Sequence, residues 1–206
     1  MEFNDFIFPE RLKEQLEFIL DNTSKIPRSL CFYGLPAKGK TSFAKFLGGK
    51  LANEVSYHDC TNYKKDEKFH KSIDMESYTF FRSGANESED GLFTKCIILD
   101  EWQVLPPKIQ DSFKTVFEDG NKKCIFIICC NTSIKKPLYN VLSPSIQSRC
   151  HKVRFDLFAR DLDEVIEKTK DKFPMLDDTF IRNNILDYRA ITREVNMKAV
   201  PEEIIL

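Results

Sequence analysis

The stretch that most constrains this chain is a glycine-rich octapeptide, Gly34–Thr41, with the sequence GLPAKGKT. It fits the phosphate-binding pattern G-x-x-x-x-G-K-[ST]. The apolar run Ser29–Tyr33 before it predicts a short buried strand, and the apolar spacing over 41–52 predicts a helix. A strand, a glycine-rich turn and a helix N-terminus in this order direct several backbone N–H groups and a favourable helix dipole at one anion. The sequence therefore predicts a phosphate site.

In such a loop the Lys40 ammonium would reach the β- and γ-phosphates of ATP, and the Thr41 hydroxyl would bind Mg²⁺. The pattern arises by chance in roughly one chain per hundred of this length. A simple Gly-Lys turn between two core elements therefore remains the alternative interpretation until a second motif is found. We expect nine consecutive residues to contact the nucleotide: Gly34, Leu35, Pro36, Ala37, Lys38, Gly39, Lys40, Thr41 and Ser42.

The second motif is an acidic pair, Asp100 and Glu101, directly after the apolar run 96–99. A run that is apolar on both faces is typical of a central parallel strand. The carboxyl end of such a strand is where open α/β sheets bind their ligands. We expect Asp100 to hold Mg²⁺ through water and Glu101 to polarise the attacking water.

Asn131 follows another predicted buried strand, 123–130, and is a third candidate for the site. Its amide could hydrogen-bond the γ-phosphate or the attacking water. The alternative is an asparagine that only closes a strand-ending turn, a position this residue type often takes.

The remaining patterns predict alternating strands and helices, and then helices alone. A helix is predicted at 105–118, with Pro107 in its first turn. The stretch 59–90 is polar and includes a loop at 83–90, and we expect its lysines on a solvated helix face. We predict an α/β nucleotide-binding domain over 1–155 and a small helical domain over 156–206. The other expected elements are a helix within 1–28, strands at 54–58 and 152–155, and helices at 157–172, 177–185 and 188–198.

Composition narrows the class of protein further. The 206 residues carry 31 basic and 32 acidic side chains, so net charge does not favour nucleic acid and any contact with it must be local. Seven cysteines, an odd number without C-x-x-C pairs, indicate buried reduced thiols in a cytosolic-type compartment. The N-terminus shows no signal-peptide pattern and no apolar run reaches membrane-spanning length, so we expect a soluble, intracellular protein without a membrane partner.

Four further motifs occur in a fixed order along the chain. Together with the phosphate loop and the acidic pair, they resemble those of AAA+ ATPases of the clamp-loader group, nearest to the small ATPase subunits of phage, archaeal or eukaryotic loaders. The resemblance implies a P-loop NTPase fold, a three-layer αβα domain with a central parallel sheet, followed by a small helical lid. The four motifs are Gln110 with Glu118 eight residues later, Asn131 at the sensor 1 position, Ser148-Arg149-Cys150, and Asp187-Tyr188-Arg189.

The resemblance also implies roles for individual residues. Arg149 would act in trans as an arginine finger on ATP bound by a neighbouring subunit, and Arg189 would reach the phosphates of its own subunit from the lid. Gln110 would couple a DNA-facing helix to the acidic pair. The alternatives are an Arg149 that pairs with a local carboxylate and an Arg189 that faces solvent. Lys38 departs from the threonine usual in the family and adds a positive charge near the phosphates.

The function implied is a ring-forming ATPase that uses ATP and Mg²⁺ to open or load a sliding clamp on primer–template DNA, which it would contact through phosphates. The collar domain that usually follows the lid is missing from the sequence, so it would come from another chain, be unnecessary, or have been removed. We expect a location in the cytoplasm, that of a bacterial host if the protein comes from a phage, or in the nucleus. The alternatives are a viral or phage replicative helicase or helicase loader, and an assembly subunit that binds nucleotide without hydrolysing it.

Overall fold

A parallel β-sheet forms the centre of the computed structural model, which describes residues 2–22, 25–79 and 93–198. Within those ranges the sheet has five strands in the order β2-β3-β4-β1-β5, and all neighbours run parallel. The strands are β1 (Ser29–Gly34), β2 (Ala52–Asp59), β3 (Phe93–Asp100), β4 (Cys124–Asn131) and β5 (His151–Arg154).

Helices cover both faces of this sheet. Alternate strand residues point to opposite faces, so Phe32 and Ile98 pack with α1 and α2 on one side, whereas Ile97 and Ile128 pack with α3, α4 and α5 on the other. The predicted three-layer α/β architecture is thereby confirmed. The helices on these two faces are α1 (Glu10–Asp21), α2 (Lys40–Leu51), α3 (Phe69–Tyr78), α4 (Pro107–Ser112), α5 (Lys114–Asp119), α6 (Leu138–Val141) and α7 (Pro144–Gln147).

Three further helices follow β5: α8 (Leu162–Lys172), α9 (Asp178–Asn184) and α10 (Tyr188–Lys198). We refer to them as the lid helices. They pack around an apolar cluster of their own that includes Ile166, Ile181 and Ile191. The helical pattern of this part of the chain was predicted, and a domain boundary at residue 155 stays a prediction.

The register of the sheet brings the candidate residues to one edge. Gly34 at the end of β1 is paired with Asn131 at the end of β4, and Asp59 of β2 is paired with Asp100 of β3. Because parallel strands end at the same edge, motifs far apart in sequence meet there.

The helix predicted over 105–118 is divided into α4 and α5 at Phe113. The Ser112 hydroxyl donates to the Ile109 carbonyl at 2.6 Å, and the Phe113 N–H bonds to the Gln110 carbonyl instead of that of Ile109. A serine that bonds the preceding turn competes with the helical backbone pattern and bends the helix. The helix periodicity was therefore correct, and the break lies next to a serine that bonds to the preceding turn.

The polar stretch 59–90 is described only in part. It forms a short 3₁₀ helix (Cys60–Tyr63) and then α3, and its lysines at 64, 65, 68 and 71 are exposed as predicted, although only Lys71 lies within the helix. The loop predicted at 83–90 lies outside the described residues. All seven cysteines are buried and free. Within the described ranges no helix has both the length and the apolar character needed to cross a membrane.

An ionic cluster around the buried Lys95 side chain joins β2, β3 and α3. The Lys95 ammonium lies 3.1 Å from Glu54 Oε1 and 3.6 Å from Glu76 Oε1, and His58 Nε2 lies 2.8 Å from Glu76 Oε2. Burial opposes ionisation of Glu76, but the hydrogen bond from His58 and the charges of His58 and Lys95 overcome it and lower the Glu76 pKa from 4.5 to about 2.

We expect Glu76→Gln to lower the free energy of unfolding by about 2 kcal/mol at pH 7, because Lys95 would keep its buried charge with one carboxylate fewer. A depressed pKa stabilises the fold above the unfolded-state pKa of 4.5, so the difference from wild type should be fully present at about pH 5 and disappear as pH falls towards 2. Urea unfolding across this pH range measures it. Glu67→Gln, which removes an exposed pair with Lys108, is the control and should leave the free energy of unfolding nearly unchanged. A Glu76 effect that does not depend on pH would contradict the explanation.

Candidate functional site

The phosphate loop, Gly34–Thr41, connects β1 to α2 with a strongly curved backbone. Gly34, Ala37 and Gly39 have positive φ angles of 146°, 60° and 81°. At Gly34 a Cβ atom would lie 2.8 Å from Asp156 Oδ1, so a side chain is excluded there by both conformation and space. Asp156 uses the same oxygen to accept the Leu35 N–H at 2.6 Å. The curvature of the loop is therefore fixed from β1 and from the chain after β5.

The Lys40 ammonium lies inside this curve. It donates to the carbonyl oxygens of Gly34 at 3.0 Å and Leu35 at 2.6 Å, and the side chain is only 6% exposed. Burial lowers the Lys40 pKa. The charge is thus held at the first turn of α2, where the backbone N–H groups of a helix N-terminus also favour an anion.

The two predicted metal ligands are in direct contact, although they lie 59 residues apart in the chain. The Thr41 hydroxyl donates to Asp100 Oδ2 at 2.8 Å, and Asp100 Oδ1 accepts the Glu101 N–H at 2.9 Å. The Asp100 side chain is buried. A hydroxyl and a carboxylate beside a buried lysine are the oxygen donors that Mg²⁺ takes from protein when phosphates supply the rest of its ligands.

Glu101 follows β3 in the left-handed conformation, with φ of 53°. Its carboxylate accepts a hydrogen bond from Asn131 Nδ2 at 2.8 Å and another from Gln103 Nε2, and Gln103 Oε1 accepts the Asn131 N–H at 2.9 Å. The structure therefore brings Glu101 and Asn131 together, as the sequence led us to expect. It adds Gln103, which holds both of them.

A cavity of about 660 Å³ lies between the phosphate loop and α10, a volume typical of small-molecule sites. Of the nine residues predicted to contact nucleotide, 37–42 line it, whereas Gly34, Leu35 and Pro36 form the start of the loop outside it. One face of α10 forms the opposite wall, with residues at the three- to four-residue spacing of a helix. The residues of α10 in this wall are Tyr188, Arg189, Thr192, Arg193, Asn196 and Met197, and Asp100, Glu101 and Asn131 line the cavity at the strand ends.

Lys38 is directed to the lid helices. Its ammonium donates to the Leu186 carbonyl and lies 5.7 Å from the centre of the Tyr188 ring, and the side chain is 2% exposed. Burial lowers the Lys38 pKa to about 8. The Tyr188 N–H also bonds to the Ala37 carbonyl at 3.2 Å. Lys38, which we expected near the phosphates, thus joins the phosphate loop to the beginning of α10.

The two candidate arginines have different environments. Arg149, just after α7, does not line the cavity, and its guanidinium lies 2.6 Å from Glu118 Oε1 in α5. Arg189 lines the cavity, and its guanidinium forms no hydrogen bond or ion pair within the described part of the chain. Arg189 therefore faces the site from its own chain. Arg149 pairs with Glu118, which is the local carboxylate partner that the alternative interpretation predicts.

Gln110 is 2% exposed and fully hydrogen-bonded. Its amide nitrogen donates to the carbonyls of Leu105 at 2.9 Å and Val141 at 3.0 Å, and its oxygen accepts the Ser143 N–H at 2.8 Å. These contacts connect α4 to the chain that leads into α7 and Arg149, rather than to the acidic pair itself.

Sequence reasoning missed several residues of the site, among them Gln103, Asp156, Arg193 and also Tyr57, whose hydroxyl donates to Asp100 Oδ2 at 2.9 Å. Arg193 lies four residues after Arg189, a spacing that places both on one face of a helix and could have indicated it. The other three carry no such signal, because each contacts a residue that is remote in the sequence.

No protein-family model matches the chain. Among curated proteins, it is 34% identical to replication factor C subunit 4 of Caenorhabditis elegans over 130 residues, 61% of this chain and 37% of that protein. It is 28% identical to the probable replication factor C subunit 5 of Dictyostelium discoideum over 170 residues, 80% of this chain and 47% of that protein. It is 29% identical to the replication factor C small subunit of Methanosarcina mazei over 154 residues, 72% and 43% of the two chains.

Solved structures show the same fold at lower identity. A RuvB variant from Thermotoga maritima superposes with a TM-score of 0.64, with 16% identity, over 95% of this chain and 65% of that one. The fold is therefore that of the AAA+ protein RuvB. The homologues of this chain are replication factor C subunits, which confirms the resemblance to the clamp-loader group. The chain spans less than half the length of these curated relatives.

Proposed function

We propose that this chain is an ATP-hydrolysing subunit of a clamp loader, which works in a ring of AAA+ subunits to open or load a sliding clamp on primer–template DNA. The observation that carries the proposal is the contact between Thr41 and Asp100 beside the Lys40 ammonium, at the edge of a nucleotide-sized cavity. The replication factor C relatives supply the role in DNA replication.

ATP and Mg²⁺ fit the groups present. Lys40 would exchange its two carbonyl partners for phosphate oxygens, and the backbone N–H groups of the loop and of α2 would bind the same anion. Thr41 and Asp100 would hold Mg²⁺, which when bound would neutralise charge on the phosphates. The negative β- and γ-phosphates would in this way replace the loop carbonyls as partners of the buried Lys40 ammonium.

Hydrolysis would use the groups at the ends of β3 and β4. The Glu101 carboxylate would accept a proton from the attacking water, and Asn131 would hold Glu101 or the water in place. Arg189 would contact the phosphates from α10 of the same chain. Arg149 would exchange Glu118 for the γ-phosphate in a neighbouring subunit, where it would neutralise charge that develops in the transition state.

Ring assembly and DNA contact belong to the same proposal. With a net charge of −1, the chain would contact DNA through local Lys and Arg groups and helix N-termini, so binding would depend on salt more than on sequence. The helicase alternative rests on the strand that ends at Asn131, whereas the replication factor C relatives favour the clamp loader. ATPase stimulation by the sliding clamp and primed DNA, against strand displacement, separates the two functions.

The direct test of the site is Lys40→Ala. We expect its affinity for Mg²⁺·ATP to fall about a hundredfold, because two charge-assisted hydrogen bonds of about 1.5 kcal/mol each would be lost. Titration with a fluorescent ATP analogue measures it. Lys50→Ala, which removes an exposed lysine from the last turn of the same helix, is the matched control and should leave affinity unchanged. Equal affinity in all three proteins would remove the phosphate loop from nucleotide binding.

A further inference from the structure

Tyr57 lies near the carboxyl end of β2 and belongs to neither the phosphate loop nor the acidic pair. In the sheet it is paired with Ile98, two residues before the position of Asp100 on β3. Two residues of a strand span about 6.6 Å, a distance that a tyrosine side chain bridges and a shorter side chain does not. The Tyr57 hydroxyl indeed reaches Asp100 and donates to its Oδ2 at 2.9 Å.

The same carboxylate oxygen accepts the Thr41 hydroxyl, so two hydroxyl groups converge on Asp100 Oδ2. The other oxygen accepts the Glu101 N–H. Three donors from β2, α2 and the end of β3 therefore fix the rotation of this carboxylate. Of these, the Tyr57 hydroxyl is the donor from outside the two nucleotide-binding motifs.

The ring of Tyr57 is itself held in place. Lys45 Nζ lies 4.4 Å from the ring centre, a cation–π contact. Lys45 is one helical turn after Thr41, so both residues lie on the face of α2 that is next to β2. The ring is 43% exposed, and this contact with α2 keeps its hydroxyl directed at Asp100 despite the exposure.

We propose that Tyr57 is a positioning residue for the magnesium site: its hydroxyl holds the Asp100 carboxylate so that Oδ2 stays beside the Thr41 hydroxyl. This inference rests on the proposed function, which assigns Thr41 and Asp100 to Mg²⁺. Tyr57 would act through Asp100, since it is not among the residues that line the cavity. Partners of this kind, which orient a metal ligand, change metal affinity about 10–100-fold when removed.

The test is Tyr57→Phe, which keeps the ring against Lys45 and removes only the hydroxyl. Binding of a fluorescent ATP analogue is titrated with MgCl₂ at fixed protein concentration, and separately measured in EDTA. We expect the half-saturating Mg²⁺ concentration to rise about tenfold or more. Affinity in EDTA should stay within twofold, because Lys40 and the loop backbone are unchanged. Tyr139→Phe, an exposed tyrosine on α6, is the matched control and should change neither value.

The outcomes separate this inference from the function on which it rests. A wild-type protein that binds no ATP, or binds it without any response to Mg²⁺, overturns both. A wild-type response to Mg²⁺ with an unchanged requirement in Tyr57→Phe overturns the role of Tyr57 alone. A lower requirement in the variant would show that the hydroxyl competes with the metal, which also overturns it. An equal loss with and without Mg²⁺ would indicate a merely structural role and has the same consequence.

Discussion

Replacement of Glu101 by Gln is expected to lower the rate of ATP hydrolysis in the assembled ring by about 10²–10⁴, the usual contribution of a general base. The amide cannot accept a proton from water, whereas its oxygen can still accept the hydrogen bond from Asn131 Nδ2. Glu101 makes no contact with Lys40 or Thr41, so we expect ATP affinity to stay within about twofold. Binding and turnover should therefore separate in this variant.

Single-turnover hydrolysis and ATP titration on the same preparation measure the two quantities. Glu167→Gln, an exposed carboxylate on α8, provides the control for a simple change of charge. Unchanged turnover in Glu101→Gln would show that another group activates the water. A wild-type ring that binds ATP and never turns it over, even with clamp and primed DNA, would support the alternative of a non-hydrolysing assembly subunit.

Arg149→Ala is expected to reduce hydrolysis by about 10³–10⁵ in the ring, the effect of an arginine finger, with little change in the ATP affinity of the mutated subunit itself. That factor corresponds to about 4–7 kcal/mol of transition-state stabilisation. The pair with Glu118 is half-exposed on the carboxylate side and contributes about 1 kcal/mol or less. Exchange of Glu118 for a developing phosphate charge is therefore strongly favourable.

Mixed rings distinguish action in trans from a local role. Lys40→Ala subunits would bind ATP only weakly but still present Arg149, and Arg149→Ala subunits would bind ATP without an arginine finger. We expect each variant alone to be inactive and an equal mixture to regain a measurable fraction of the wild-type rate. Glu118→Gln is the control, which should leave hydrolysis unchanged or raise it. A mixture no more active than its components would contradict action in trans and leave Arg149 with its structural partner.

The sequence by itself determined the elements and their order. The run 96–99 is apolar on both faces, which is typical of a strand in the middle of a parallel sheet. The acids that follow it therefore lie at the edge where the strands end. The loop Gly34–Thr41 needs positive φ angles, and two of the three are at glycines. These are local requirements of backbone and burial, so they can be predicted from the sequence.

Tertiary structure alone decided which side chains meet. The Lys38 ammonium bonds to the Leu186 carbonyl, Arg149 pairs with Glu118, and the Tyr57 hydroxyl reaches Asp100. Each partner comes from a different element, and the distance between them is set by strand register and helix packing rather than by spacing along the chain. Contacts between remote residues form only when the whole fold is in place, so no local sequence pattern predicts them.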